Sequence, residues 1–176
     1  MRRPLLIVVG VVALLVVALI GARIVTRPEV ERYELVGDES IAGFPADGNT
    51  VQAIERFGPP SRRQDYGRGH CDFQWRSLGI TITFVIEPVQ QDPCGPDAWH
   101  DSTTVIDPRW STDEGLRIGD PQTRLRELYP QASNDGQGVA TLLTRQTAGL
   151  ELPSLTARVR NGRVASLTLY GPRRAF

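Results

Sequence analysis

Two residues apart, His70 and Asp72 have the types and the spacing of a general base and the carboxylate that orients it. On a strand, alternate side chains share a face, so the pair would point the same way. A nucleophile is missing from the neighbourhood. The chain also contains no Gly-x-Ser-x-Gly elbow, no phosphate-cradling glycine loop and no His-Glu-x-x-His helix motif. His100 and Asp101 sit in a stretch rich in proline and glycine, where solvated side chains are the default. A metal site built from Cys71, Cys94, His70 and His100 is disfavoured, because neighbouring residues His70 and Cys71 would face opposite sides of a strand. No Cys-x-x-Cys or His-x-x-x-His spacing occurs either. The expectation is a chain with no catalytic site, no metal and no cofactor.

The two cysteines instead read as a disulfide between Cys71 and Cys94, the simplest use of an even pair in a chain that begins with an export-type segment. Closing a loop of about 24 residues would restrict the unfolded chain by roughly 3 kcal/mol in the loop-entropy treatment. Aromatic residues form the other group of interest. Tyr66, Phe73, Trp75, Trp99 and Trp110, with Arg68, Arg76 and Arg109 nearby, have the composition of interface hot spots. Phe73 and Trp75 share one strand face and read as core. Trp99, Arg109 and Trp110, set among prolines and charges, are the candidate interaction surface.

These residues have to be positioned outside a membrane. Leu5 to Ala22 is a run of 18 residues with no charged or strongly polar side chain, bracketed by Arg2, Arg3, Arg23 and Arg27. At about 1.5 Å per residue a helix from Leu5 to Val25 spans roughly 30 Å, one hydrocarbon core. A cleaved secretory signal is the competing reading, but Ile20-Gly21-Ala22 followed by Arg23 is a poor cleavage site. With no cysteine near the end of the run, a lipid anchor has no acceptor. Arginines lie on both flanks, so the positive-inside rule does not orient the span. The cysteine pair does, placing the amino end in the cytoplasm and the folded part outside the plasma membrane. Ala18 and Ala22, four apart, are the small residues through which two anchors could self-associate.

Beyond residue 32 there are 15 arginines against 18 acidic residues, a net of −3, so no basic footprint for nucleic acid exists. Residues 1–26 are expected to form the anchor and 27–42 a juxtamembrane linker. The whole stretch from Arg27 to Asp47 is charged, rich in glycine and proline, and without apolar periodicity. The remaining chain is long enough for one well-buried body.

A unit occurs twice in that remainder. Gly48-Asn49-Thr50, Ile54, Phe57 and Pro59 align at an offset of 71 with Gly119-Asp120-Pro121, Leu125, Leu128 and Pro130. Asn49 and Asp120 suit N-caps, Thr50 and Pro121 suit first helical positions, and the prolines end each helix. Strand-like patterning follows both helices. In the first half Cys71 to Arg76 and Ile80 to Ile86 form a hairpin, with Thr103 to Asp107 as a third strand. In the second, Val139 to Arg145 precedes Leu155 to Arg160 and Arg163 to Tyr170, joined at Asn161-Gly162, the strongest short hairpin signal. Along Val164 to Tyr170 one face is apolar and the other polar. The predicted fold class is α+β: a transmembrane helix followed by two tandem helix-plus-antiparallel-sheet repeats, 43–109 and 110–176.

Gly48-Asn49-Thr50 with Gly58-Pro59-Pro60, and Gly115-Leu116-Arg117-Ile118-Gly119-Asp120 with Leu128-Tyr129-Pro130, resemble the tandem fold of β-lactamase inhibitor proteins. Single-repeat relatives of that fold include the SmpA/OmlA outer-membrane assembly lipoproteins. The resemblance covers roughly residues 43–170 and implies protein binding through a curved sheet, with no chemistry and no cofactor. The chain departs from it in having an anchor segment and a single cysteine pair, and the inhibitors' binding residues do not map onto particular positions here. The resulting expectation is a membrane-anchored, non-catalytic module of the bacterial cell envelope that binds another envelope or cell-surface protein. An envelope hydrolase or ligand-binding protein with a pocket between the two repeats, using His70, Asp72 and His100, is the alternative.

Overall fold

In the segment Ile80–Val85, Ile80, Ile82 and Phe84 are buried while Thr81, Thr83 and Val85 are partly exposed. That period of two marks a strand with one face on a core and the other toward solvent. The pattern recurs along the chain. The computed structural model describes residues 33–36, 40–87 and 91–172. In chain order the elements are β1 (Tyr33–Val36), β2 (Ser40–Ile41), β3 (Phe44–Pro45), α1 (Thr50–Phe57), β4 (Arg62–Gly67), β5 (His70–Trp75), β6 (Ile80–Val85) and β7 (Trp99–Val105). They continue with β8 (Trp110–Thr112), α2 (Gln122–Leu128), β9 (Ser133–Asn134), β10 (Val139–Thr147), β11 (Leu150–Arg160) and β12 (Arg163–Tyr170).

The expected α+β body of two helix-plus-sheet repeats does not form. The described chain is mostly β, and one eight-stranded antiparallel sheet, in the order β4-β5-β6-β7-β12-β11-β10-β9, dominates it. The physical reason lies at its centre. Two separate sheets would each expose an edge there, whereas β7 pairs directly with β12, from Leu167 opposite Val105 to Tyr170 opposite Ser102. One apolar layer then runs across the junction, with Ile82, Phe84, Val105, Leu155, Leu167 and Leu169 in a single buried cluster. The two helices, of eight and seven residues, lie against this layer through Ala53 and Leu125. They are too short to be the partner of a sheet each.

A second sheet, β3-β2-β1-β8, closes the core. It draws on the stretch expected to be a linker: Leu35, Ile41 and Phe44 are fully buried, and β1 runs parallel to β8, with Tyr33 opposite Trp110. Among the described residues no helix is long and apolar enough to cross a membrane. The predicted span, Leu5 to Ala22, and the Ala18/Ala22 pair lie outside the described residues.

Local chemistry explains the element ends. Asn49 caps α1 by accepting from the Gln52 backbone N–H at 3.0 Å, while the Gln52 side chain accepts from the Asn49 N–H, a reciprocal capping box. Asp120 does not repeat this. Its carboxylate accepts from the Arg117 backbone N–H at 2.8 Å, and α2 begins after Pro121 with no side-chain cap. The β11–β12 hairpin turns through Asn161 and Gly162, with φ of 51° and 71°. β4 was not expected from the sequence; it joins β5 through Arg68 and Gly69, both also at positive φ.

Candidate functional site

The sequence-predicted chemical residues are not brought together. His70 is exposed at the start of β5, with its Nδ1 at 2.9 Å from the Arg68 carbonyl oxygen. Asp72 lies on the same face but accepts from the Thr83 hydroxyl at 2.8 Å. His100 is buried on the opposite, apolar side of the sheet. Its Nδ1 is 2.7 Å from the Ala46 carbonyl oxygen, which can only accept, so the ring proton sits on Nδ1; Nε2, 2.8 Å from Thr103 Oγ1, accepts from the hydroxyl. Burial lowers the His100 pKa, against a smaller upward pull from the Ala46 bond, and Phe44 packs edge-on at 5.5 Å between ring centres. This is a neutral histidine fixed at both nitrogens, a structural arrangement rather than half of a catalytic pair. Among the described residues no group of histidines, cysteines and carboxylates could hold a metal ion.

The disulfide forms. Cys71, buried on β5, bonds to Cys94 in the loop between β6 and β7, with 5.3 Å between Cα atoms. The same loop is stitched to the start of α1: the Thr50 hydroxyl donates to the Gly95 carbonyl at 2.8 Å, and the Thr50 N–H to the Ala98 carbonyl. One covalent and two hydrogen-bonded ties thus fix the loop that leads into His100.

The proposed aromatic surface requires correction. Trp110 is fully buried, and its indole N–H donates to the Leu78 carbonyl at 2.7 Å. Arg109 makes a two-pronged pair with Asp107, Nε to Oδ1 at 2.9 Å and Nη2 to Oδ2 at 3.0 Å, and also donates to the Ser77 carbonyl. That guanidinium holds the Asp107 carboxyl below the usual carboxylate range. Arg109 therefore clamps the turn before β8 onto the β5–β6 turn, and Trp110 fills the space beneath. Trp99 is half-buried and packs against the core. The three do not make a recognition patch.

What the fold does assemble is a polar face on the main sheet. Reading across paired positions from one edge to the other gives Arg62, Gln74, Thr81, Thr104, Thr168, Thr156, Thr141 and Ser133, one residue per strand. At about 4.8 Å between strands this row extends roughly 34 Å. A second row, Gln64, Asp72, Thr83, Ser102 and Tyr170, runs beside it. Thr104 and Thr168 share a hydrogen bond at 3.0 Å across the central strand pair. Except for Thr156, which its neighbours bury, the row's threonines are partly exposed. Both helices and the small sheet contribute their buried side chains to the opposite face. The alternation in β6 and β12 foreshadows single hydroxyls; only the strand register lines them up.

By its geometry the protein belongs to a plain class: a disulfide-bonded, mostly β body with one face of an eight-stranded sheet covered by core and the other presenting hydroxyls. No family model matches the chain. No curated protein matches it either. Among solved structures, an extracellular protein containing an SCP domain from Bacillus anthracis str. Ames is similar at 9% identity and a TM-score of 0.45, over 71% of this chain and 43% of that one. The uncharacterized protein yfeY from Escherichia coli is similar at 12% identity and a TM-score of 0.38, over 80% of this chain and 99% of that one. This chain thus spans less than half the length of the Bacillus protein. Likenesses this distant carry no argument about fold or function.

Proposed function

We propose that this chain is a non-catalytic binding module of the bacterial cell envelope, tethered by Leu5 to Ala22 with its folded part outside the cytoplasm, that recognises another envelope or cell-surface protein through the hydroxyl face of the main sheet. The observation that carries this reading is the aligned hydroxyls of Thr81, Thr104 and Thr168, continued by Thr141 beyond the buried Thr156, short polar side chains presented at strand spacing. Threonine hydroxyls both donate and accept and lose little rotamer freedom, so such a face can satisfy a partner's polar groups at low entropic cost. The Cys71–Cys94 bond fits an oxidising compartment.

A photo-reactive residue at position 104, in the middle of the face, should cross-link a defined partner in intact membranes. The same residue at position 51, exposed on α1 on the other side of the body, should not. With the photo-reactive residue kept at position 104, Thr81→Arg and Thr168→Arg, on either side of it in the row, should each abolish the adduct while leaving the far-ultraviolet spectrum unchanged. Equal adducts from both positions, or none from position 104, would rule the face out.

A further inference from the structure

β10 has a strand on one side from Val139 to Thr147, but on the other side β9 meets only Ala140 and Thr141. The chain that leads into β9 comes from a turn, in which the Ala132 N–H donates to the Tyr129 carbonyl at 3.0 Å, and not from farther along β10. Among the described residues no strand continues the ladder beside Leu142 to Thr147, an edge of roughly 20 Å. The phase of that edge follows from a proline. Pro153, opposite Thr144, has no N–H to give, so this pair cannot be one that exchanges both backbone bonds. The register is regular from Thr144 to Thr147, so the bonds to β11 fall on Arg145 and Thr147, and the N–H and C=O groups of Thr144 and Gln146 point to the open edge. The tight turn that closes on the Thr147–Leu150 pair, with Ala148 and Gly149 at φ of 51° and 80°, fits the same phase. Here lies a cavity of about 650 Å³, lined by Ser133 of β9, by Leu142, Leu143 and Thr144 of β10, and by Glu151 and Pro153 of β11. Glu151 is the only ionisable residue that lines it; its carboxylate accepts from the Thr144 hydroxyl, and both side chains are exposed.

We infer that this edge is a docking site for an extended segment of another polypeptide that carries a lysine or arginine, added to the sheet as a strand beside β10. Backbone groups open at alternate residues are a template for a further strand, and the two groups on each of Thr144 and Gln146 offer it four hydrogen bonds. Side chains of the added strand opposite Thr144 and Gln146 share the face that carries Glu151, the β11 partner of Gln146. Two strand spacings, about 10 Å, separate those backbones, a distance that a lysine and a glutamate span together. The intervening side chains fall on the core side with Leu143, which packs against the buried cluster. The docking edge is a different surface from the hydroxyl face, and the inference stands without that reading.

The test is fluorescence anisotropy of a fluorescein-labelled peptide, Thr-Val-Lys-Val-Thr-Val amide, titrated with the full chain. In an extended conformation the peptide sets lysine and threonine on one face and valine on the other. It should bind saturably, and the same peptide with glutamate in place of lysine should bind at least about fivefold more weakly. Glu151→Lys should reverse that preference, which a misfolded variant could not do. Methylating the backbone nitrogens of alternate peptide residues should abolish binding for one set of residues and spare it for the other, because one edge of the peptide faces β10 and the other faces solvent. Gln146→Pro, which removes an edge N–H outside the β11 ladder, should abolish binding, and Thr81→Arg, in the hydroxyl row, should leave it unchanged. Absence of saturable binding up to about 0.5 mM protein overturns the inference. So do equal losses from both methylated sets, a lysine preference unchanged in Glu151→Lys, binding that survives Gln146→Pro, or binding lost in Thr81→Arg.

Discussion

Replacing Trp110 separates a core residue from a surface anchor by magnitude alone. The indole is fully enclosed in the cluster that joins the two sheets, and its N–H is spent on the Leu78 carbonyl at 2.7 Å. Trp110→Ala removes most of a large side chain from a site whose walls belong to different elements, so the space cannot simply collapse. Such truncations cost about 3–5 kcal/mol. The stranded Leu78 carbonyl adds about 1 kcal/mol, at the low end of such penalties because Leu78 is only half-buried and water can reach it. Trp110→Phe keeps much of the volume and loses the donor, so it should cost about 1–3 kcal/mol. Against a total of roughly 5–15 kcal/mol for a domain, the alanine variant should be close to unfolding and the phenylalanine variant should not. Urea titration of the full chain, followed by far-ultraviolet circular dichroism, reads both. A tryptophan on an open surface would shift stability by less than about 0.5 kcal/mol. If Trp110→Ala falls within that range, or if the two variants are equal, the burial and the indole bond described here are refuted.

Reducing the Cys71–Cys94 bond should lower stability by about 3 kcal/mol, the loop-entropy value for its closed loop, and the melting temperature by roughly 10 °C. A change under about 2 °C in a thermal melt with and without reductant would show that the loop is held by its Thr50 contacts alone. His100 should make stability depend on pH. Burial lowers its pKa in the folded state, so the unfolded chain takes up the proton first as pH falls. The stabilisation is therefore complete above the unfolded value of about 6.5 and is lost as pH drops below it toward the folded value. Urea midpoints at pH 7.5 and pH 5 should differ for the wild type and differ less for His100→Gln; equal differences in the two proteins would contradict the buried neutral ring.

How far the fold is legible in the sequence depends on how far each interaction reaches along the chain. The α1 cap, with Asn49 and Gln52 three apart, is local and can be read directly. The Asn161-Gly162 hairpin is local for the same reason. Asp120 has the same pattern around it as Asn49, yet its carboxylate is taken by the Arg117 N–H three residues back, a competition that the spacing alone does not rank. β1, β2 and β3 are two to four residues long, separated by glycine and charge, and their small sheet is completed by the parallel pairing of β1 with β8, more than seventy residues away. No periodicity can develop over so short a strand. Trp110 looked exposed because Pro108 and Arg109 precede it, but Arg109 is committed to Asp107 and Ser77, and that clamp is what turns the indole inward. The hydroxyl row is legible strand by strand as a polar face. Its continuity depends on register across β7 and β12, where pairing joins residues from distant parts of the chain.

Irregularities in the ladders, rather than the regular strands, give this sheet its two distinct surfaces. Uniform alternation from β4 to β9 would produce one continuous polar face and no concavity. Register shifts in four strand pairs prevent that, and the three beyond the β4–β5 edge shape this part of the sheet. In β12 the register passes from Val164 to Ser166 opposite consecutive β11 residues, so Ala165 is extra and Val164, at a position of the polar face by simple alternation, is buried instead. Between β10 and β11 the register skips Leu142 and Ser154, and both are buried. In β7 it skips Asp101, which is exposed. Each extra residue bends its strand and increases the local twist. Beyond the β10–β11 irregularity Arg145 and Leu152 pair with each other, and they wall the same cavity as Asp101. The central register stays regular where Thr81, Thr104 and Thr168 align, which is why the hydroxyls form a straight row there. The concavity and the row are therefore consequences of where the ladder slips and where it does not.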